Sequence, residues 1–312
     1  MGPLMIDIEG DVLTAPEADL LRHPAVGGVI LFSRNYRSPR RMRRLVAAIR
    51  SAAGGPVLVA IDQEGGRVQR MRTGFTALPP ARVLGEVHDS DPGRARELAF
   101  ARGRLLALEL GAVDIDFSFA PVVDVDYGRS EVIGDRALHG DPQVVAALGE
   151  AFVQGASSAG MACVAKHFPG HGWVAADSHA ELPVDGRDYG ELRADMAPFE
   201  RLIGAGAGAV MTAHVRYPAV DDATPCYSQR WMREELRQRL NFSGVVFADD
   251  LSMHGAGQAG DLGQRVAASL EAGCDMLPIC NDPQGVRELL GDWRYAADPG
   301  SAARLARLRR GA

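Results

Sequence analysis

The chain has 312 residues, 46% hydrophobic and 24% charged, with a net charge of −6 at pH 7. This is ordinary globular composition, enough for one large α/β barrel or two smaller domains. The acidic balance argues against nucleic acid or an anionic membrane surface as the main partner.

The start, Met1-Gly2-Pro3-Leu4-Met5-Ile6-Asp7, has neither the basic region nor the apolar core of a secretory signal. No run approaches the ~18 apolar residues of a membrane span. Cys163, Cys226, Cys274 and Cys280 fit neither a zinc pattern nor a disulfide framework. The expectation is a soluble, reduced, cytoplasmic protein that acts as a monomer, with no cofactor and no metal.

Eight short apolar runs recur along the chain: Leu4 to Ile8, Gly28 to Phe32, Val57 to Ile61, Ile115 to Ala120, Cys163 to His167, Ala209 to His214, Val245 to Asp249 and Asp275 to Ile279. Near-continuous hydrophobicity over so few residues is what strands covered on both faces require. Helical patterns lie between them, clearest at Pro39 to Ala53, Gly93 to Leu110, Gln143 to Ser158, Ser228 to Leu240 and Leu262 to Ala272. Asn241 stands where a left-handed cap is expected. The alternation predicts an α/β fold, a single (β/α)8 TIM-type barrel over residues 1–312, with room for irregularity at its first strands. The Arg-rich end, Arg304 to Arg310, reads as a solvated helix face.

A barrel gathers its chemistry where strands end. Asp62 follows the third run, Lys166 and His167 close the fifth, His214 the sixth, Asp249 and Asp250 the seventh, and Asn281 follows the eighth. Lys166 is the only lysine among the 34 Lys and Arg residues. Arg is a wide planar fork and Lys a compact point charge on a thin stem, so a tight polar pocket can demand the second. Lys166 opens the segment Lys166-His167-Phe168-Pro169-Gly170-His171-Gly172, which runs on to Asp177-Ser178-His179. This long Gly-rich loop carries its own ionisable groups, as mobile active-site loops do. A carboxylate at Asp177 bonded to one imidazole nitrogen of His179 fixes the tautomer and leaves the other nitrogen to pass protons. In Asp249-Asp250 adjacent side chains point to opposite faces, so one can enter the barrel mouth while the other bonds loop backbone. A carboxylate held beside cations stays ionised and can attack an electrophilic carbon. Asp62, Arg67 and Arg70 combine a carboxylate and two forks suited to vicinal hydroxyls, and Arg136 adds a third fork.

These motifs resemble those of the β-N-acetylglucosaminidase branch of glycoside hydrolase family 3. The matching segments are Gly27 to Tyr36, Asp62 to Arg70, Lys166 to Gly172, Asp177-Ser178-His179 and Phe247 to Met253; the resemblance runs from Met1 to about Asn281. It implies retaining hydrolysis of a terminal β-linked N-acetylglucosamine on an anhydro-muropeptide fragment, in peptidoglycan recycling. Asp249 would be the nucleophile, His179 the acid/base in place of a second carboxylate, and Asp177 the group that orients it. Asp62, Arg70, Arg136, Lys166 and His167 would contact the sugar. Single-domain members of this branch are generally cytoplasmic and need no metal. The chain departs from the family at Ala248, where Ser is usual, and at Trp173, a large ring in the loop that either stacks on sugar or packs.

Three other readings compete. A metal-dependent hydrolase could draw on His167, His171, His179, His214, Asp177 and Asp249, but the first strand ends Ile6-Asp7-Ile8-Glu9, without the His-x-His usual in barrel amidohydrolases. A phosphorylase could use the same intermediate, since a His acid/base would not repel phosphate. A dead sugar-binding barrel is opposed by the intact Asp177, His179 and Asp249.

Overall fold

The computed structural model describes residues 1–176, 182–296 and 298–310. In chain order the elements are β1 (Leu4–Asp7), α1 (Ala15–Leu21), β2 (Val26–Leu31), α2 (Pro39–Ala53), β3 (Leu58–Ile61), the hairpin β4 (Gln63–Gly65) and β5 (Val68–Gln69), α3 (Arg82–Ser90), α4 (Pro92–Ala112), β6 (Phe117–Ser118) and α5 (Pro142–Ser158). They continue with β7 (Val164–Phe168), α6 (Tyr189–Gly204), β8 (Ala209–Thr212), a wide-turned π-type helix Arg230–Arg239, β9 (Val245–Phe247), α7 (Leu262–Ala272), β10 (Leu277–Ile279), α8 (Pro283–Gly291) and α9 (Pro299–Ala306).

Local sequence explains most helix starts. Ser38-Pro39, Asp91-Pro92, Asp141-Pro142, Asp282-Pro283 and Asp298-Pro299 each place an oxygen-bearing N-cap before a proline, and each cap accepts a backbone N–H from the first turn. The cap satisfies an otherwise orphan donor, and proline loses nothing at the first helical position. The predicted ends at Ala53 and Ala272 are met by left-handed Gly54 and Gly273. Asn241 takes the expected left-handed conformation, φ 51°.

The strands run parallel as β10-β1-β2-β3-β6 and as β7-β8-β9. Single parallel bridges, Val122 to Lys166 and Phe247 to Met276, join the two sheets at both seams. The result is the expected (β/α)8 ring, with the β4–β5 hairpin outside it. A register shift does occur in the first pair, at Leu4/Met5, but the weaker places are these two seams. At the first seam Pro121, whose peptide bond to Ala120 is cis, interrupts the strand edge; proline has no N–H to give to a ladder. The Lys166–His167 and Phe168–Pro169 peptide bonds are also cis.

Phe119 packs edge to face on Phe117 and Phe247, with centroids 5.4 and 5.2 Å apart, and Phe117 lies tilted at 55° to Phe247 with centroids 5.8 Å apart. Each such pair adds about 1 kcal/mol beyond area burial. All three rings are buried, and Phe119 forms part of the wall of the cavity described next.

The Arg-rich end is only partly a solvated face: Arg307 and Arg309 are exposed, but the segment is also tied to the barrel. Arg304 grips the buried Asp275 carboxylate at 2.6 and 3.0 Å, Arg307 donates to the Ser243 carbonyl, and Arg310 donates to the carbonyls of Ala107 and Ala159. Leu305 and Leu308 are buried between them. A buried carboxylate and helix-end carbonyls need donors, and the arginines supply them. Among the described residues no helix is long and apolar enough to cross a membrane.

Candidate active site

Six of the residues expected at the site line one cavity of about 570 Å3 at the C-terminal ends of the strands: Asp62, Arg70, Arg136, Lys166, His167 and Asp249. They come from the chain just after β3, the β4–β5 hairpin, the turn before α5, β7 and the end of β9. Phe32, Phe119, Met211 and Met253 supply apolar wall. Asp177 and His179 lie outside the described residues.

Lys166 explains why one position kept lysine. Its Nζ sits 2.9 Å from Asp62 Oδ1 and 2.7 Å from Glu64 Oε1, with the side chain almost wholly buried. Burial disfavours its charge, but the two carboxylates outweigh that and raise its pKa. Glu64, two residues beyond the expected contact Asp62, was missed as a site residue although it stands inside the segment Asp62 to Arg70. It takes Arg136 as a fork, Nε to Oε2 at 2.9 Å and Nη2 to Oε1 at 2.8 Å. Burial would raise its pKa, yet Arg136 and Lys166 hold it well below the usual carboxylate range.

Arg70 reaches Asp62 Oδ2 at 3.4 Å and lies over the Phe32 ring at 5.5 Å. Its buried Nε has no hydrogen-bond partner among the described residues.

His167 Nδ1 lies 2.7 Å from Asp124 Oδ2. Asp124 is the second residue the motifs did not reveal. Its signal was a lone acid in the apolar run Pro121-Val122-Val123-Asp124-Val125. It is fully buried, and despite burial the neighbouring His167 and His171 keep its pKa low. His171 is held down at about 4 by burial, with His167 beside it.

The Asp249-Asp250 pair divides as expected. Asp250 turns to backbone, accepting from Cys280 N at 3.1 Å and Ser252 N at 2.9 Å. Asp249 faces the cavity and accepts only the Asp250 N–H, at 2.9 Å on Oδ1, among the hydrogen bonds of the described residues. Burial would protonate it; His167, His214, the Asp250 N–H and Lys166 together hold its pKa below the usual value. His214 lies buried behind the doublet, its Nε2 donating to the Asp250 carbonyl at 3.0 Å. Burial opposes its charge, but Cys226 and Asp249 raise its pKa to about 9.

The loop after β7 leaves the barrel through two glycines with no room for side chains. A Cβ on Gly172 would meet the Val125 carbonyl oxygen at 1.8 Å, and Gly170, at φ 140°, faces Asp195. Trp173 packs instead of facing the cavity: its ring lies against Tyr127 and between the guanidiniums of Arg129 and Arg187. Among the described residues no group of three or more His, Cys, Asp or Glu side chains is arranged to hold a metal ion.

Fold and site together define the class: a (β/α)8 barrel enzyme with a half-buried carboxylate set among cations at the strand ends. The chain belongs to glycosyl hydrolase family 3, whose N-terminal domain matches residues 5–304. It is 51% identical over 312 residues to a protein named beta-hexosaminidase from Methylobacillus flagellatus, covering 100% of this chain and 89% of that protein. Among solved structures it resembles NagZ from Neisseria gonorrhoeae in complex with N-trifluoroacetyl-D-glucosamine, with TM-score 0.94, 42% identity, and coverage of 100% of this chain and 91% of that one. A zinc complex of the Neisseria gonorrhoeae protein matches with TM-score 0.93 and 41% identity, over 100% of this chain and 90% of that one.

Proposed function

We propose that the protein is a retaining exo-β-N-acetylglucosaminidase that removes terminal β-linked N-acetylglucosamine from anhydro-muropeptide fragments of the cell wall in peptidoglycan recycling. The observation that carries this reading is Asp249: a half-buried carboxylate at the cavity, its pKa held below the usual value by the cations around it, with one oxygen anchored by the Asp250 N–H. The relatives named beta-hexosaminidase and the glucosamine-derivative complex support the substrate class.

In this mechanism the second oxygen of Asp249 attacks the anomeric carbon as the bond to the leaving oxygen breaks. His179, oriented by Asp177, gives that oxygen a proton. Water then attacks the glycosyl-enzyme ester, His179 takes its proton, and Asp249 is released as carboxylate. Asp62, Arg70, Arg136, Lys166 and His167, which line the cavity, hold the sugar. A single domain carries the activity as a cytoplasmic monomer, and turnover needs no metal, so chelators leave the rate unchanged.

The test compares release of an aryl group from a β-N-acetylglucosaminide and from a β-glucoside, with and without added phosphate. The reading expects release from the first substrate at a rate indifferent to phosphate. Equal release from the glucoside would contradict the substrate, and a phosphate-dependent sugar phosphate would make the enzyme a phosphorylase.

A further inference from the structure

Among the described residues Glu64 is the carboxylate on the cavity wall with the most contacts from cations, and the proposed mechanism gives it no part. Oε1 receives both Lys166 Nζ and Arg136 Nη2, and Oε2 receives Arg136 Nε. A carboxylate offers about four lone-pair sites, so three are taken by the protein itself. Asp62 is less committed, with one contact from Lys166 at 2.9 Å and a long one from Arg70 at 3.4 Å. The two acids facing the same lysine therefore differ in what they are free to bind.

The backbone beneath Glu64 is fixed from several sides. Gln63 N donates to Ser118 Oγ at 2.9 Å, and the Gln63 side chain bonds the Met71 backbone in both directions, at 2.8 and 3.0 Å. Buried Arg102, from α4, donates to the Glu64 carbonyl. Gly65, at φ 114°, lies so close that a Cβ there would meet Arg102 Nη2 at 2.3 Å and the Pro79 carbonyl at 2.6 Å. Lys166, by contrast, reaches Glu64 on a four-carbon stem with three rotatable donors. Of the partners at this junction, the glutamate is the fixed point.

We infer that Glu64 is a positioning residue, which acts through Lys166 and Arg136: its carboxylate fixes where these two cations stand, and so aims their remaining N–H groups at sugar hydroxyls. This rests on the proposed reading of the cavity as an N-acetylglucosaminide site. Without Glu64, Lys166 follows Asp62 alone and Arg136 loses its fork. Hydroxyls that the aimed cations distinguish are then no longer distinguished, because a site rejects an analogue lacking a hydroxyl only where its own polar groups are held for it.

The test uses the full chain with Glu64→Gln, nearly isosteric but uncharged, and Glu64→Asp, which keeps the charge one methylene short. Steady-state rates are measured on an aryl β-N-acetylglucosaminide and on its 3-, 4- and 6-deoxy analogues, with melting temperatures recorded. The expected result for Glu64→Gln is a fall in kcat/KM of about 10- to 100-fold, the size of one charge-assisted hydrogen bond, carried mainly by KM. The preference of the wild type for the parent over at least one deoxy analogue shrinks with it, and Glu64→Asp falls between. Should Glu64→Gln fail to fold, the same shrinkage is read from Glu64→Asp. Undiminished discrimination against every deoxy analogue in the folded variant overturns the inference, as does a loss confined to kcat. A wild-type enzyme inactive on the parent substrate overturns the functional reading instead.

Discussion

His167 Nδ1 stands 2.7 Å from one oxygen of Asp124, while the other oxygen of that carboxylate accepts the backbone N–H groups of His167 and His171 at 3.1 and 2.8 Å. One buried acid thus fixes both the ring and the turn that carries it. In the neutral ring this keeps the proton on Nδ1 and leaves Nε2 to accept a hydrogen bond. Asp124→Asn preserves an acceptor for the two N–H groups but presents an amide donor to Nδ1, which reverses the tautomer. The expected outcome is a folded protein with sugar affinity reduced by about 10- to 100-fold. Calorimetric binding of N-acetylglucosamine and the 15N shifts of His167 check it; unchanged affinity with a reversed tautomer would sink the idea.

Lys166 is enclosed by Asp62 and Glu64, so its removal leaves buried negative charge. Lys166→Met is expected to lower stability by about 3–5 kcal/mol, the usual consequence of breaking a buried ion pair from one side. Lys166→Arg keeps the charge but puts a wide fork between carboxylates set for a point, so KM rises while stability changes less. Urea unfolding and steady-state kinetics on the two variants separate these effects. Equal loss of stability in both would contradict the account, because keeping the charge would then bring nothing.

The direction of the Asp249 shift sets a pH expectation. Its folded pKa is below the usual value of about 3.9, so the ionised nucleophile persists as pH falls to that range and is lost only beneath it. With an activated aryl glycoside, whose departure needs little proton help, kcat/KM is expected to stay level down to about pH 4. An acid limb near pH 6 that follows Asp249 would contradict this. Glu64 and Asp124 are also held low, so the stability they contribute is complete above about pH 4 and falls away as pH drops below it.

His179→Ala tests the proton donor. Substrates with poor leaving groups are expected to slow by about 10²- to 10⁴-fold, the ordinary worth of general acid catalysis, and activated aryl glycosides far less. Equal slowing of both classes would remove His179 from that role.

Much of this was legible in the sequence because it was local. Pro39–Ala53 and Leu262–Ala272 are bounded as the helical pattern indicated, since cap chemistry lies within a few residues of each end. The strand-end chemistry at Asp62, Lys166, His167 and Asp249 was readable for the same reason. What escaped depends on distant partners. Glu64 matters through Lys166, 102 positions away along the chain, and Arg136, with |i−j| of 72. Asp124 matters through a ring 43 positions on. The Arg-rich end looked solvated because Asp275 and the carbonyls of Ala107 and Ala159 are brought to it only by the closed barrel. Trp173 could stack or pack on the sequence alone; Arg129, Arg187 and Tyr127 decide for packing.

The central claim is that Asp249 forms a covalent bond to the anomeric carbon. A mechanism-based fluorosugar carrying the N-acetyl group, followed by proteolysis and mass mapping, tests it most directly. The account predicts one label per chain, on the peptide containing Asp249, and no label in Asp249→Ala. A label on any other side chain, or an inactivated enzyme with none, would contradict it.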